Sequence, residues 1–178
     1  MKKIISILGA TGSVGQSTFK IIDKKKKEFK INILSANKNF DLISYQIKKY
    51  KPNYYIISDP KIFIKIYNQY KKKNTKILNG FNSLKSFKKS HITVSAIPGI
   101  AGLEPTIKMI KYSKKILLAN KESIICGWDL IERQALKYKS DIIPIDSEHF
   151  SILKLIQNHK ISEIEKIYLT ASGGPFLN

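Results

Sequence analysis

The stretch Ile4-Ile5-Ser6-Ile7-Leu8-Gly9-Ala10-Thr11-Gly12-Ser13-Val14-Gly15-Gln16-Ser17-Thr18 decides the fold. Residues 4–8 form an apolar run with the character of a buried strand, and an amphipathic helix follows from about 14 to 23. Between them, glycine stands at every third position. Strand, glycine turn and helix in that order make a cradle for a pyrophosphate. Glycine lets the backbone turn tightly and approach the phosphates, while the helix N–H groups and dipole receive the charge. The spacing is Gly-x-x-Gly-x-x-Gly rather than Gly-x-Gly-x-x-Gly, so the flanking strand and helix give the motif its meaning. A glycine turn without a ligand is the plain alternative.

Working outward, the same alternation continues along the chain. Apolar runs at 31–35, 54–57, 92–96, 116–119 and 142–145 read as strands, with a shorter one at 77–78 and a last one at 166–170. Helical patterns fall at 41–50, 62–70, 103–112, 123–138 and 149–157, with a weak one at 82–88. Strands that alternate with helices, and that are apolar throughout like Ile116-Leu117-Leu118-Ala119, belong to a parallel sheet covered on both faces. The expected architecture is α/β: a Rossmann-type doubly wound, mainly parallel sheet over 1–145, followed by the start of a catalytic domain over 146–178.

Composition narrows the function classes. With 43% apolar and 25% charged residues, the chain is an ordinary globular one. Its net charge of +19 is not ordinary, and by itself it invites a nucleic-acid or membrane partner. Against that, Arg133 is the single arginine; the other cations are lysine, whereas nucleic-acid readers favour the bidentate arginine fork. The mixture of Lys, Ile, Asn, Tyr and Phe is what AT-rich codons leave on solvated faces, so no nucleic acid is expected, although a basic patch remains the alternative. One cysteine, Cys126, excludes an internal disulfide and fits a reducing cytoplasm. Its place in an amphipathic helix predicts a buried structural thiol. No run approaches the length of a membrane span.

Four further strand ends carry candidate chemistry. After the second strand comes Ser35-Ala36-Asn37-Lys38-Asn39. There is no acid to take a ribose 2′-hydroxyl, and a cation suits a 2′-phosphate, so NADP is preferred over NAD. Lys38 as one more drifted lysine is the competing reading. Leu117-Leu118-Ala119 breaks into Asn120-Lys121-Glu122-Ser123, either ligand groups over the sheet edge or plain helix-capping residues. Pro144-Ile145 leads into Asp146-Ser147-Glu148-His149. Two carboxylates at a strand's end can hold a hard divalent cation such as Mg²⁺ or Mn²⁺; equally, Asp146 can cap a helix whose first turn carries Glu148. Zinc through His149 finds no second His or Cys at ligand spacing. Finally, Ser172-Gly173-Gly174 after a strand forms either an anion-binding nest or a plain turn.

Taken together and in order, Gly-Ala-Thr-Gly-Ser-Val-Gly-Gln-Ser-Thr, Leu-Leu-Ala-Asn-Lys-Glu-Ser, Pro-Ile-Asp-Ser-Glu-His and Ser-Gly-Gly-Pro-Phe resemble 1-deoxy-D-xylulose 5-phosphate reductoisomerase, from Ile4 to Phe176. The resemblance implies an NADPH- and Mg²⁺- or Mn²⁺-dependent enzyme of isoprenoid precursor synthesis. Such an enzyme rearranges 1-deoxy-D-xylulose 5-phosphate and reduces it to 2-C-methyl-D-erythritol 4-phosphate. It implies cofactor contacts at Thr11, Gly12, Ser13, Val14, Asn37, Lys38, Asn39, Asn120 and Glu122, although Asn37 stands where the family commonly has glycine. It implies metal ligands at Asp146 and Glu148, substrate contacts at Lys121, Ser147, Glu148 and Ser172, and catalytic roles for Lys121 and Glu148. The partner is a small phosphorylated sugar, and the full-length family is homodimeric. Family members continue past this point with another metal carboxylate, more phosphate-binding residues, a lid and a helical domain. The expectation is therefore that these residues alone bind NADPH and turn over negligibly, with a non-catalytic NADP-binding module or a basic nucleic-acid binder as alternatives.

Overall fold

The computed structural model of the chain describes residues 2–83 and 87–168. Seven strands form one sheet in the order β4-β3-β2-β1-β5-β6-β7, and every pairing is parallel. The strands are β1 (Lys3–Leu8), β2 (Phe29–Ala36), β3 (Tyr54–Ile57), β4 (Lys76–Asn79), β5 (Ile92–Ser95), β6 (Lys115–Leu118) and β7 (Asp141–Pro144). The helices between and after them are α1 (Ser13–Lys24), α2 (Phe40–Tyr50), α3 (Pro60–Tyr70), α4 (Leu103–Ile110), α5 (Lys121–Tyr138) and α6 (Ser147–Ile156). The chain winds outward from β1 through β4, then crosses back to β5 on the other side of β1. The switch point of this doubly wound sheet thus lies between β1 and β5, where the first strand ends in the glycine turn.

Apolar burial on both faces holds the sheet. Ile5, Ile7 and Leu34 pack with Phe19, Ile22, Ile43 and Ile66 from α1, α2 and α3. On the opposite face Leu8, Ile33 and Ile56 meet Phe81, Met109 and Tyr112. Ile31 and Ile33, two apart, should share a face, yet they lie on opposite ones. A bulge explains this: Ile5 pairs with Ile31 but Ile7 with Leu34, so β2 carries one extra residue opposite Ser6. The Ser6 hydroxyl repairs the gap by accepting the Ile33 N–H at 3.2 Å, and it bonds the Ser90 hydroxyl at 2.7 Å on the returning chain. All three residues are buried.

Several sequence expectations need correction. Of the weak helix expected at 82–88, the first two residues belong to a 3₁₀ turn at Phe81–Ser83, 87–88 carry no regular structure, and 84–86 lie outside the described residues. Residues 166–168 are not a strand; the rest of that expected strand, and Ser172 with its glycines, lie outside the described residues. Cys126 is exposed, because the inward stripe of α5 is Ser123, Gly127 and Ile131, spaced four apart, and Cys126 falls beside it. At Gly127 the helix kinks (φ −151°, ψ 26°), and a Cβ there would stand 2.5 Å from Leu103 Cδ1, so glycine is what lets α4 pack against α5.

Candidate functional site

The glycine turn is built from below. Gly9 has φ +76°, and a Cβ on it would lie 2.5 Å from the Ala96 carbonyl oxygen of the neighbouring strand's exit. Gly15 in α1 is just as close to the Gly9 carbonyl, 2.5 Å for its missing Cβ. Ser35, at the end of β2, accepts the Gly9 N–H on its hydroxyl at 3.1 Å and the Ala10 N–H on its carbonyl at 2.7 Å. Gln46 of α2, buried, donates to the Ala10 carbonyl at 2.9 Å and takes the Tyr55 hydroxyl at 2.6 Å. Burial pushes the Tyr55 phenol far up, so it stays a donor. Above this support, Gly12 caps α1 without any side chain, and the first turn of α1 holds no acid. Its leading N–H groups therefore face outward to receive an anion.

A cleft of about 670 Å³ opens beside the turn. Thr11 and Gly12 line it, with Ser35, Ala36 and Asn37 from the end of β2, Ser58 from the end of β3, and the loop after β5 through Ile97, Pro98 and Ala101. Asn120 holds that loop. Its Nδ2 donates to the carbonyls of Ile97 and Gly99, the latter at 2.7 Å, and its Oδ1 accepts the Ser123 N–H at 2.9 Å as the cap of α5. Both amide hydrogens are thus committed and the side chain is buried, so any ligand contact from Asn120 falls to its main chain. Gly102 is the reason the clamp fits: a Cβ there would come within 2.4 Å of the Asn120 amide nitrogen and of the Ile97 carbonyl oxygen.

Among the other expected cofactor positions, Thr11, Gly12 and Asn37 line the cleft; Ser13 and Val14 begin α1 and are exposed. Lys38 and Asn39 are exposed and off the cleft wall, with Asn39 capping α2 through the Leu42 N–H at 3.0 Å. Glu122 is exposed in the first turn of α5. Sequence reading missed Ser35, the 97–102 loop and the far wall formed by Asn82, Glu104 and Lys108. Pro98-Gly99 directly after a strand was a readable turn signal. The far wall gave none, because it joins segments about 25 residues apart.

The carboxylates stand on the same rim, at the end of β7. Three strand spacings separate β7 from β1, roughly 14 Å along the sheet. Asp146 is extended and caps α6: Oδ1 accepts the His149 N–H at 3.0 Å and lies 2.7 Å from its Nδ1. The capping alternative therefore holds for Oδ1, while Oδ2 is buried with no partner among the described residues. Burial pushes the Asp146 carboxyl up, but the hydrogen bonds from the His149 N–H and ring outweigh it and hold the group below its ordinary value. Glu148 is also held low, by its own N–H and then by Lys121 at 3.3 Å and the Ser147 hydroxyl at 3.2 Å. A buried anionic oxygen without a donor is a ligand atom suited to a hard cation, and Glu148 follows two residues later on the same rim, its carboxylate turned to Lys121 and Ser147. Among the described residues no cluster of three or more His, Cys, Asp or Glu completes such a site.

Residues 5–127 match the family model of 1-deoxy-D-xylulose 5-phosphate reductoisomerase. The chain belongs to this family. Residues 142–178 match the model of the reductoisomerase C-terminal domain. The reductoisomerase of Pelagibacter ubique is 46% identical across the whole of this chain, which covers 47% of that protein. The reductoisomerase of Wolbachia pipientis from Culex pipiens is 44% identical, again across the whole chain and 46% of its own length. The chain thus spans about half the length of these curated reductoisomerases. Among solved structures, the Zymomonas mobilis reductoisomerase in complex with NADPH superposes with a TM-score of 0.76 at 28% identity, covering 84% of this chain and 40% of that one. A reductoisomerase in complex with NADPH, fosmidomycin and magnesium gives 0.76 at 34% identity, over 83% of this chain and 37% of the other. Among the described residues no helix is long and apolar enough to cross a membrane.

Proposed function

We propose that this chain is the NADPH-binding half of a reductoisomerase that converts 1-deoxy-D-xylulose 5-phosphate to 2-C-methyl-D-erythritol 4-phosphate. The observation that carries the reading is the shared rim: an uncapped glycine turn at the switch point of the sheet and a carboxylate pair three strands away, both at strand C-terminal ends. In this reading the N–H groups at Ser13 and Val14, with Thr11 and the open surface of Gly12, receive the pyrophosphate, while the Gly12 N–H closes the turn onto the Gly9 carbonyl at 3.0 Å, and 37–39 lie beside the adenosine ribose. The 97–102 loop, clamped by Asn120, lies under the nicotinamide half, with Glu122 nearby. Asp146 Oδ2 and Glu148 hold a Mg²⁺ or Mn²⁺ ion, Lys121 orients Glu148 and contacts the substrate, and Ser147 donates to a substrate oxygen. Ser172 is proposed as a further substrate contact on the family resemblance alone. When bound, the divalent ion supplies a Lewis acid for the substrate's carbonyl and hydroxyl oxygens, and NADPH supplies hydride.

Residues 146–178 begin the catalytic domain in this reading, in keeping with the family match over that stretch. The enzyme would work in the cytoplasm as a homodimer. These residues alone should not turn over, because two carboxylates under-coordinate the ion and water has free access. The test is loss of NADPH absorbance with 1-deoxy-D-xylulose 5-phosphate and Mn²⁺. The chain alone should show none above background. Joined to the C-terminal half of a curated relative it should show it, and Asp146→Asn should remove it. A fusion that binds NADPH yet never consumes it contradicts the proposed activity.

A further inference from the structure

The cleft beside the glycine turn has a far wall that the pyrophosphate reading does not use. Lys108 rises from α4, which follows β5, but its ammonium reaches across to the other half of the sheet. It donates to Asn82 Oδ1, in the turn after β4, and to Glu104 Oε1 one helical turn back. Its head therefore lies over the β2–β4 side of the glycine turn, the side where doubly wound folds seat the adenosine of a dinucleotide. Among the described residues lining the cleft, Lys108 is the one cation and Glu104 the one anion. Lys38, the cation that follows β2 in sequence, does not line it. The Lys108 side chain is 30% exposed and the Glu104 side chain 71%. The lysine is thus held within the cleft by a carboxylate that can swing away into solvent.

We infer that Lys108 is a specificity-determining residue that selects NADPH over NADH by pairing with the 2′-phosphate across the cleft from Asn37, with Glu104 holding the ammonium in place until that phosphate displaces it. The inference rests on the NADPH reading above and adds to it a second wall for the same subsite. A phosphate monoester is the better partner for the ammonium because it carries up to two charges and three acceptor oxygens, against one charge on a mostly solvated carboxylate. Glu104 also prevents an empty cleft from carrying a bare cation, and it makes the exchange reversible. The arrangement predicts opposite effects for the two partners, which a purely structural clasp would not produce.

The experiment titrates NADPH and NADH separately into the 178-residue chain, following nicotinamide fluorescence, at moderate salt. Lys108→Gln keeps most of the side chain's length and an N–H donor while removing the charge. It should weaken NADPH about tenfold, the equivalent of one charge-assisted contact at a partly solvated site, and change NADH less than about twofold. Glu104→Gln removes the competitor and should tighten NADPH about threefold with NADH unchanged. Raising the salt should shrink both differences. Thermal unfolding of each variant checks that the fold is intact. Equal weakening of both nucleotides by Lys108→Gln would overturn the inference, since that is the mark of a structural clasp. So would full NADPH preference in Lys108→Gln with the preference lost in Lys38→Ala. An unaltered chain that binds neither nucleotide overturns the NADPH reading itself, an outcome distinct from the other two.

Discussion

Replacing Asn120 by alanine separates the two jobs this side chain performs. The structure assigns it three hydrogen bonds: from Nδ2 to the Ile97 and Gly99 carbonyls, and to Oδ1 from the Ser123 N–H. Losing the cap of α5 costs about 1 kcal/mol. Each lost bond to a loop carbonyl costs about 1 kcal/mol more, the typical net worth of such a bond. Asn120→Ala should therefore destabilise the chain by about 3 kcal/mol, a large share of the stability of a domain this size. Serine keeps an oxygen that can accept the Ser123 N–H but cannot reach the loop, so Asn120→Ser should lose about 2 kcal/mol. Urea unfolding with unchanged slope measures both. The same variants should weaken NADPH, because the freed 97–102 loop must be ordered on binding. An alanine variant within about 0.5 kcal/mol of the parent would refute the clamp, and a serine variant as damaged as alanine would refute the division between cap and clamp.

Other perturbations follow from the same geometry. Gly9→Ala places a Cβ against the Ala96 carbonyl at a positive φ, so it should cost about 1–3 kcal/mol and abolish saturable NADPH binding; undiminished binding in nucleotide titrations would show that the turn is not the cradle. The Asp23–Lys49 bridge at 2.7 Å ties α1 to α2. Hydrogen bonding to Lys49 first, then to Tyr50, holds the Asp23 carboxyl below its ordinary 3.8. A depressed carboxyl contributes stability above its unfolded value and loses it as pH falls through the lower folded value, so the bridge should fade only below about pH 4. The Asp23 hydrogen bond raises Lys49 above its ordinary 10.5, so on the alkaline side the contribution is full below 10.5 and is lost as pH climbs from there through the raised folded value. Solvent at side chains 33% and 31% exposed limits the contribution to about 1 kcal/mol; Asp23→Asn should flatten the acid limb of stability against pH by that amount, and an unchanged limb would contradict the pairing.

The parallel sheet was legible because its signal is local and repeated. The run Ile4 to Leu8, the glycines after it and the alternation of short and long apolar segments needed no tertiary knowledge. The bulge opposite Ser6 was not legible, because Ile31 to Ala36 reads as an unbroken strand and only the pairing with β1 reveals the extra residue. Cys126 was misjudged because helical periodicity alone does not fix which stripe faces inward; Gly127 against Leu103 does. At the candidate site, residue types singled out Asp146, Glu148 and the glycine turn as candidates, yet spacing could not distinguish a cap from a ligand. The structure shows one Asp146 oxygen doing the capping while the other is left over. Lys108 escaped notice since its partner Asn82 arrives by a crossover, and among so many lysines sequence alone marks none as special.

Paramagnetic relaxation gives the most direct test of the shared rim. Mn²⁺ is added to the chain saturated with NADP⁺, and the line widths of the nucleotide protons are compared. The proposed function puts Asp146 and Glu148 beside the nicotinamide end of the cofactor, so the nicotinamide protons should broaden strongly and the adenine protons much less, and Asp146→Asn should remove the effect. Broadening strongest at adenine, or none at either ring with both ligands bound, would contradict the account.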